Sequence, residues 1–326
     1  MKIKLSRILP LIGIALFVYV VKKAGISNLI STFLGANYFY IAIAVLFLPL
    51  IVLLQTFKWR YVVGKQGIKM GLAEAYKIQL VSIFYGFVTP ARIGSFVKIA
   101  YLQEKTKNLG KSASSVVIDR ALDLLTVLLL AGFGSLMVIN KFSRILLYIA
   151  ALTGLFILLI AVFLIESKKR FVLEFIYRKM LSGKMKAKVK KSFSQFYKSI
   201  PKYRFFIVPF AASIATWLII YLQIFFIAVA LNINVPYFVL AGMLAISTLV
   251  SLLPISIAGI GPREASLITL LGFFGIEPAR IVAMSLLGIF TTNTIISLAG
   301  FWFSLKGTKP KQIKNKTTAK KQSKSR

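Results

Sequence analysis

The stretch Ile257–Ser266, IAGIGPREAS, places an arginine and a glutamate straight after a glycine-rich break and between two long apolar runs. Two more charged stretches sit in similar surroundings: Pro90-Ala91-Arg92-Ile93-Gly94, followed by Lys98, and Val116–Leu125, VVIDRALDLL. A guanidinium presents a planar fork of N–H donors that matches a phosphate or carboxylate. Where a helix restarts after a break, its unpaired N–H groups and positive dipole end favour the same kind of ligand. Arg92 and Arg263 therefore read as holders of an anionic headgroup, with Pro90, Gly94, Gly259, Gly261 and Pro262 making the breaks. Lys98 is a further candidate, although a lysine near a limb end can also snorkel to the interface or pair internally. Asp119 and Asp123, four residues apart, share a helix face, and Arg120 can pair with Asp123 three residues on. If that helix starts near Ala113, Asp119 lies ~9 Å along it, where a charge costs at least ~2.5 kcal/mol and needs a partner. The candidate substrate-binding set is thus Arg92, Lys98, Asp119, Arg120, Asp123, Arg263 and Glu264. For the two aspartates, a purely structural ion-pair cluster is the competing reading.

Several chemistries are excluded by what the chain lacks. It contains no cysteine and no histidine, which removes disulfides, thiol nucleophiles and imidazole bases. The eight acids, Glu74, Glu104, Asp119, Asp123, Glu166, Glu174, Glu264 and Glu277, show no spacing that suggests a metal cage. No Ser, Cys or His nucleophile-base arrangement can be assembled, and carboxylate catalysis by Asp119 or Asp123 has no positive support. The expectation is a protein without catalytic residues, metal or cofactor.

The elements that must position these charges belong to a membrane. The 326 residues are 58% hydrophobic with a mean hydropathy of +0.82, which no water-soluble globule matches. The runs Tyr38–Gln55, Leu122–Ile139, Ile145–Ile165, Phe205–Leu231 and Ile281–Phe303 approach or exceed the ~20 residues that cross ~30 Å of hydrocarbon. Ile8–Val21 is a shorter sixth, read as a span and not a cleaved signal because Pro10 interrupts it and no small-x-small site precedes Lys22.

Orientation follows from where the 42 basic residues fall. Thirteen lie between Glu166 and Arg204 and nine between Lys306 and Arg326, so both stretches, with the N-terminus and the Lys58–Lys69 loop, belong in the cytoplasm. A single crossing by Tyr76–Leu102 would invert every later loop, so this stretch must return to its own side, as a re-entrant hairpin or two short crossings. The same holds for Tyr237–Phe274. On this assignment 33 basic residues fall inside, 5 outside, and Arg92, Lys98, Arg120 and Arg263 within membrane segments.

The predicted fold is an all-α polytopic membrane protein with about 6 full transmembrane helices and two helix-break-helix hairpins, 8–10 segments in all, arranged as an inverted repeat. Residues 1–140 form the first half, with a hairpin over 73–104. Residues 141–305 form the second, with a hairpin over 236–275 and a basic cytoplasmic loop at 166–204. Residues 306–326 make a disordered basic cytoplasmic tail. A broken helix exposes backbone groups that hydrocarbon cannot satisfy, so both breaks must be buried in protein or line a wet cavity.

These residues resemble a known family, the flippase-like transmembrane region of lysylphosphatidylglycerol synthases (the multiple peptide resistance factor type) and its stand-alone relatives. Its marks are a Pro-x-Arg-x-Gly break, a Glu-Arg-x-x-Asp segment opening the next helix, and a late Gly-Gly-x-Gly-x-Arg-Glu break. Here they stand as Pro90-Ala91-Arg92-Ile93-Gly94, Asp119-Arg120-Ala121-Leu122-Asp123 and Ala258-Gly259-Ile260-Gly261-Pro262-Arg263-Glu264, in the same order across nearly the whole chain. Departures include Ser95, which stands where members often carry an acid, and Lys98, where they carry an arginine. The 21 residues after Leu305 are too short and polar to form the aminoacyl-transferase domain of some relatives.

The resemblance implies a lipid-headgroup translocator of the plasma membrane, multi-pass with both termini cytoplasmic. An anionic phospholipid or lipid-linked intermediate would bind Arg92, Arg120 and Arg263, while Asp119, Asp123 and Glu264 tune charge or hold a cationic substituent. The alternative is a non-transporting accessory or scaffold that partners a membrane-bound glycosyltransferase or lipid synthase. Expected partners are anionic lipid headgroups. Nucleic acid is not expected: the tail has no aromatics, and Phe193, Phe196 and Tyr197 suit an amphipathic interfacial helix.

Overall fold

The computed structural model describes residues 5–89, 92–137, 147–156, 158, 192–253, 256 and 259–306. Among them there is no strand, and helices follow one another through short turns: α1 (Leu5–Ala24), α2 (Ile26–Leu34), α3 (Tyr38–Lys65), α4 (Leu72–Phe87), α5 (Val97–Thr106) and α6 (Leu109–Met137). Then come α7 (Leu147–Phe156) and α8 (192–198). A 3₁₀ turn at Tyr203–Phe206 leads into α9 (Ile207–Ala230), followed by α10 (Tyr237–Ser251), α11 (Pro262–Gly272) and α12 (Pro278–Ile289), which runs through a π-helical segment, Phe290–Ile295, into α13 (Ile296–Leu305). Pro90 lies outside the described residues, as do most of the 166–204 loop and all of the tail beyond Lys306.

The local causes of these elements are legible. Asn37 accepts a hydrogen bond from the Phe39 N–H and so caps α3. Pro262 and Pro278 open α11 and α12, where a missing N–H costs nothing. Three 28-residue stretches, Tyr38–Lys65, Tyr203–Ala230 and Pro278–Leu305, are long and apolar enough by length and composition to cross a membrane. Their outward surface is apolar: Leu46, Leu50, Leu53, Ile207, Leu298 and Trp302 are all exposed. Lipid, not water, is the solvent such a surface requires.

Two expected boundaries need correction. Tyr38–Gln55 was expected to end where a cytoplasmic Lys58–Lys69 loop began, but the helix continues to Lys65 and carries Lys58 inside the protein at 1% exposure. A helix starting near Ala113 was expected before Asp119; α6 starts at Leu109, which puts Asp119 ~15 Å along it. The helix around Phe193, α8, is docked on the start of α6, where a Cβ on Gly110 would come 2.1 Å from the Ser192 carbonyl, and Tyr197 is buried.

Both expected breaks are present as helix-break-helix pairs, α4 with α5 and α10 with α11, and their packing is reciprocal. The first arm of the early pair, α4, lies against the last helix, α13; the first arm of the late pair, α10, lies against α6, while α3 and α9 pack on each other. Both crossings use glycine for close approach. A Cβ on Gly300 would come 2.2 Å from the Leu80 carbonyl oxygen, and one on Gly242 would come 2.4 Å from the Gly134 Cα.

A leucine at position 242 therefore has no room, and Gly242→Leu is expected to cost more than the ~1–3 kcal/mol typical of overpacking, read as a large fall in thermal midpoint or loss of the monodisperse peak in detergent. Gly64→Ala, in an exposed helical position with nothing within 4 Å of the added Cβ, is the matched control and should leave the midpoint unchanged or raised.

Candidate functional site

Both breaks border one water-accessible cavity of about 100 Å³, several times the space one water needs. Its walls come from α3 (Ile51, Gln55), α4 (Ser82, Gly86), the early break (Arg92, Ser95), α6 (Arg120, Asp123), α9, α10 (Thr248, Ser251), α11 (Arg263) and the π-helical segment (Thr292, Asn293). From α9 it receives Thr216, Trp217, Ile220, Tyr221 and Ile224, a stripe at the spacing of one helix face. Arg92, Arg120, Asp123 and Arg263, picked out from three separate stretches of sequence, thus share one site.

The early break is built around Thr89. Its hydroxyl donates to the Tyr85 carbonyl and accepts from the Gly94 N–H, both at 2.7 Å, while Ser82 donates to the Ser95 carbonyl. Arg92 occupies the left-handed region at φ 55°, which few non-glycine residues adopt and which the turn around it must stabilise. The late break turns through Gly259 and Gly261, at φ 79° and 96°, values that only glycine takes readily. The Glu264 carboxylate then accepts from the Gly261 N–H at 2.6 Å and from the Ser285 hydroxyl at 2.5 Å.

That last contact answers what an arginine and a glutamate do side by side. Glu264, 0% exposed, caps α11 from within and ties it to α12: its carboxylate takes the N–H of the cap residue Gly261 and sits at the positive end of the α11 dipole. It does not line the cavity. Arg263, the residue before it, turns the other way and enters the cavity near Gly288 and Tyr221. No hydrogen bond or ion pair joins the guanidinium of Arg92 or Arg263 to any described side chain. Arg92 lies within electrostatic range of both Arg120 and Arg263.

Lys98 and Asp119 are placed away from the cavity, in a buried ion-pair network that sequence reasoning only half anticipated. Lys98 Nζ donates to Asp119 Oδ2 at 3.0 Å and stands 4.6 Å over the Trp59 ring. Lys58 completes the network: its Nζ is 3.0 Å from Asp119 Oδ1 and in short contact with Asp123, which also accepts from Ser213 at 2.8 Å. Arg120 makes longer contacts to Asp119 (3.5 Å) and Asp123 (3.8 Å), and its buried Nε has no hydrogen-bond partner. The network joins α3, α5, α6 and α9, and leaves Arg120 and Asp123 partly facing the cavity.

Lys58 went unseen because its neighbours in sequence, Arg60, Lys65 and Lys69, look like a cytoplasmic flank. Gln55, Tyr221 and Asn293 also line the cavity unannounced. The polar run Thr291-Thr292-Asn293-Thr294 inside an otherwise apolar span was a usable signal, and it coincides with the π-helical segment, a form concentrated at functional sites.

Comparison with known proteins agrees with the motif resemblance. The model of the lysylphosphatidylglycerol synthase TM region matches residues 7–300, so the chain belongs to that family. A UPF0104 membrane protein of Methanocaldococcus jannaschii is 22% identical, over 92% of this chain and 95% of the relative. Another from Pyrococcus horikoshii is 23% identical, over 93% of this chain and 97% of the relative. The chain is therefore a membrane protein of a family with stand-alone members.

The network and the cap predict distinct losses. Lys58→Ala leaves Asp123 without its close cation and Asp119 with Lys98 and Arg120, and should cost ~3–5 kcal/mol, seen as a fall in thermal midpoint, with Asp123→Asn in the same chain recovering part of it. Glu264→Ala leaves the Gly261 N–H and Ser285 hydroxyl unpaired and should cost ~1–3 kcal/mol by the same measurement.

Proposed function

We propose that this member of the lysylphosphatidylglycerol synthase TM-region family translocates a lipid across the membrane, binding its anionic headgroup between the two helix breaks while the tails stay in the bilayer. The observation that carries the reading is the convergence of Arg92, Arg120 and Arg263 on one cavity walled by both breaks. Cations inside a membrane are expensive and are retained where they serve a ligand or an ion path. Two guanidiniums without an ion-pair or hydrogen-bond partner among the described side chains, beside Gln55, Tyr221, Thr248 and Asn293, form a surface suited to phosphate or carboxylate oxygens.

The reciprocal packing of α4 on α13 and α10 on α6 supports an inverted repeat, with the two breaks as corresponding elements. In that architecture one repeat rocks against the other around a site near the midplane, which exposes the headgroup to each side in turn. On this reading the hairpins return to the side they leave, both termini are cytoplasmic and the plasma membrane is the site of action. On this reading the side chains in the cavity bind and orient the headgroup, and none of the described ones is arranged as a nucleophile with a base.

The test is a fluorescent-lipid scrambling assay in proteoliposomes with a membrane-impermeant quench. Wild type should expose lipid that empty vesicles protect, and Arg263→Glu should slow that exposure at least about tenfold, the loss of one charge-assisted contact. Lys105→Ala, which removes an exposed ion pair with Glu74, should leave the rate unchanged. Equal rates in wild type and Arg263→Glu would overturn the proposal. No translocation together with a stoichiometric co-purifying enzyme would favour the accessory reading in its place.

A further inference from the structure

Among the described residues of the site the charges do not balance, and the imbalance has a definite size. Five cations, Lys58, Lys98, Arg92, Arg120 and Arg263, are gathered at the buried network and its cavity, against three carboxylates, Asp119, Asp123 and Glu264. Among the described residues two positive charges of this site remain unmatched. The residues that complete the breaks, Pro90, Ala91, Pro254, Ile255, Ile257 and Ala258, are uncharged by sequence and cannot supply the difference.

The surplus is also localised. Lys58 and Lys98 are consumed by Asp119 and Asp123, both within 3.0 Å, and Glu264 is committed to the Gly261 N–H and the Ser285 hydroxyl. Asp123 is the one carboxylate among the described cavity residues, and it is already shared by Lys58 and Ser213. Arg92, Arg263 and the free edge of Arg120 are what the cavity presents. A single negative charge placed there would leave one guanidinium of the cavity without a counter-charge among the described residues.

Resting on the anionic-headgroup reading above, we infer that the ligand of this cavity carries two negative charges on one compact group, a phosphomonoester or a diphosphate, and not the single charge of a phosphodiester. Three guanidiniums around about 100 Å³ suit such a group, whose several equivalent oxygens can each accept a fork of N–H donors. A diester has two of its oxygens masked and offers half the charge.

The experiment is a binding titration of the full-length protein in neutral detergent, followed by thermal stabilisation at about pH 8, where a phosphomonoester carries close to two charges. Short-chain phosphatidic acid presents the monoester and short-chain phosphatidylglycerol the diester; inorganic phosphate and pyrophosphate present the same chemistry without a lipid. Phosphatidic acid should bind at least about tenfold more tightly than phosphatidylglycerol, as an added charge-assisted contact requires. Arg263→Gln and Arg92→Asn should erase that preference, the asparagine being chosen because it tolerates the left-handed backbone at position 92. Their thermal midpoints without ligand report whether they fold, and Lys105→Ala should keep the full preference. Stabilisation by phosphatidic acid alone assigns the group to a lipid, and stabilisation by the inorganic ions as well assigns it to any soluble or lipid-borne phosphate; both sustain two charges. Equal affinity for the two lipids, a preference for phosphatidylglycerol, or no binding by any of the four overturns the inference. Equal affinity would still leave translocation standing, and selective binding without scrambling would overturn translocation alone.

Discussion

The ion-pair network of Lys58 with Asp119 and Asp123 is the constraint on which the rest of the arrangement depends. In a low-dielectric interior the attraction between such groups is strong, but so is the cost of taking each from water, and apolar residues of equal volume often serve stability as well or better. What the network supplies is position. Lys58 reaches from α3, Lys98 from α5 and Ser213 from α9, and all three converge on two aspartates one turn apart on α6. That fixes the rotation of α6 about its axis, and with it the direction in which Arg120 points. The binding surface inherits its geometry from residues that are mostly outside it.

The division of labour between Arg263 and Glu264 follows from helical geometry. Successive residues on a helix point ~100° apart, so the two side chains cannot serve the same place. One goes to the cavity and the other closes the turn that holds the first in position. Glu264 also shows why a helix N-terminus inside a membrane is not automatically a ligand site: the positive end of the dipole takes the nearest anion, and the chain carries its own three residues in.

Much of this could be read before the fold was seen, because the membrane makes sequence unusually explicit. Arg92, Arg120 and Arg263 stood out since hydrocarbon leaves few reasons to keep an arginine, and the Pro/Gly breaks stood out since hydrocarbon forbids unpaired backbone. Spacing also carried the partnership of Asp119 with Asp123. Lys58 was invisible for a physical reason: its partners lie 61 and 65 residues on, and a cluster of cations at a helix end looks the same whether one of them folds inward or all face water. Internal pairing of Lys98 was open from sequence but its partners were not, because its shelter is the Trp59 ring and an aspartate 21 residues away. Thr216 and Tyr221, the polar members of the α9 stripe, hid behind the apolar average of that helix.

The π-helical segment Phe290–Ile295 ties the cavity to the packing of the last helix. Thr292 and Asn293 face the cavity from within it, while Gly300, a few residues later, must meet Leu80 of α4 at backbone distance. Six residues wound with the wider i to i+5 pattern let both demands be met by one continuous helix. Removing a single residue there would turn everything beyond it by ~100°, swinging a side chain into the crossing that Gly300 keeps clear. The length of this short segment, counted in residues, is therefore as tightly specified as the identity of any arginine, and insertions or deletions should be excluded from it even where the amino acids themselves vary.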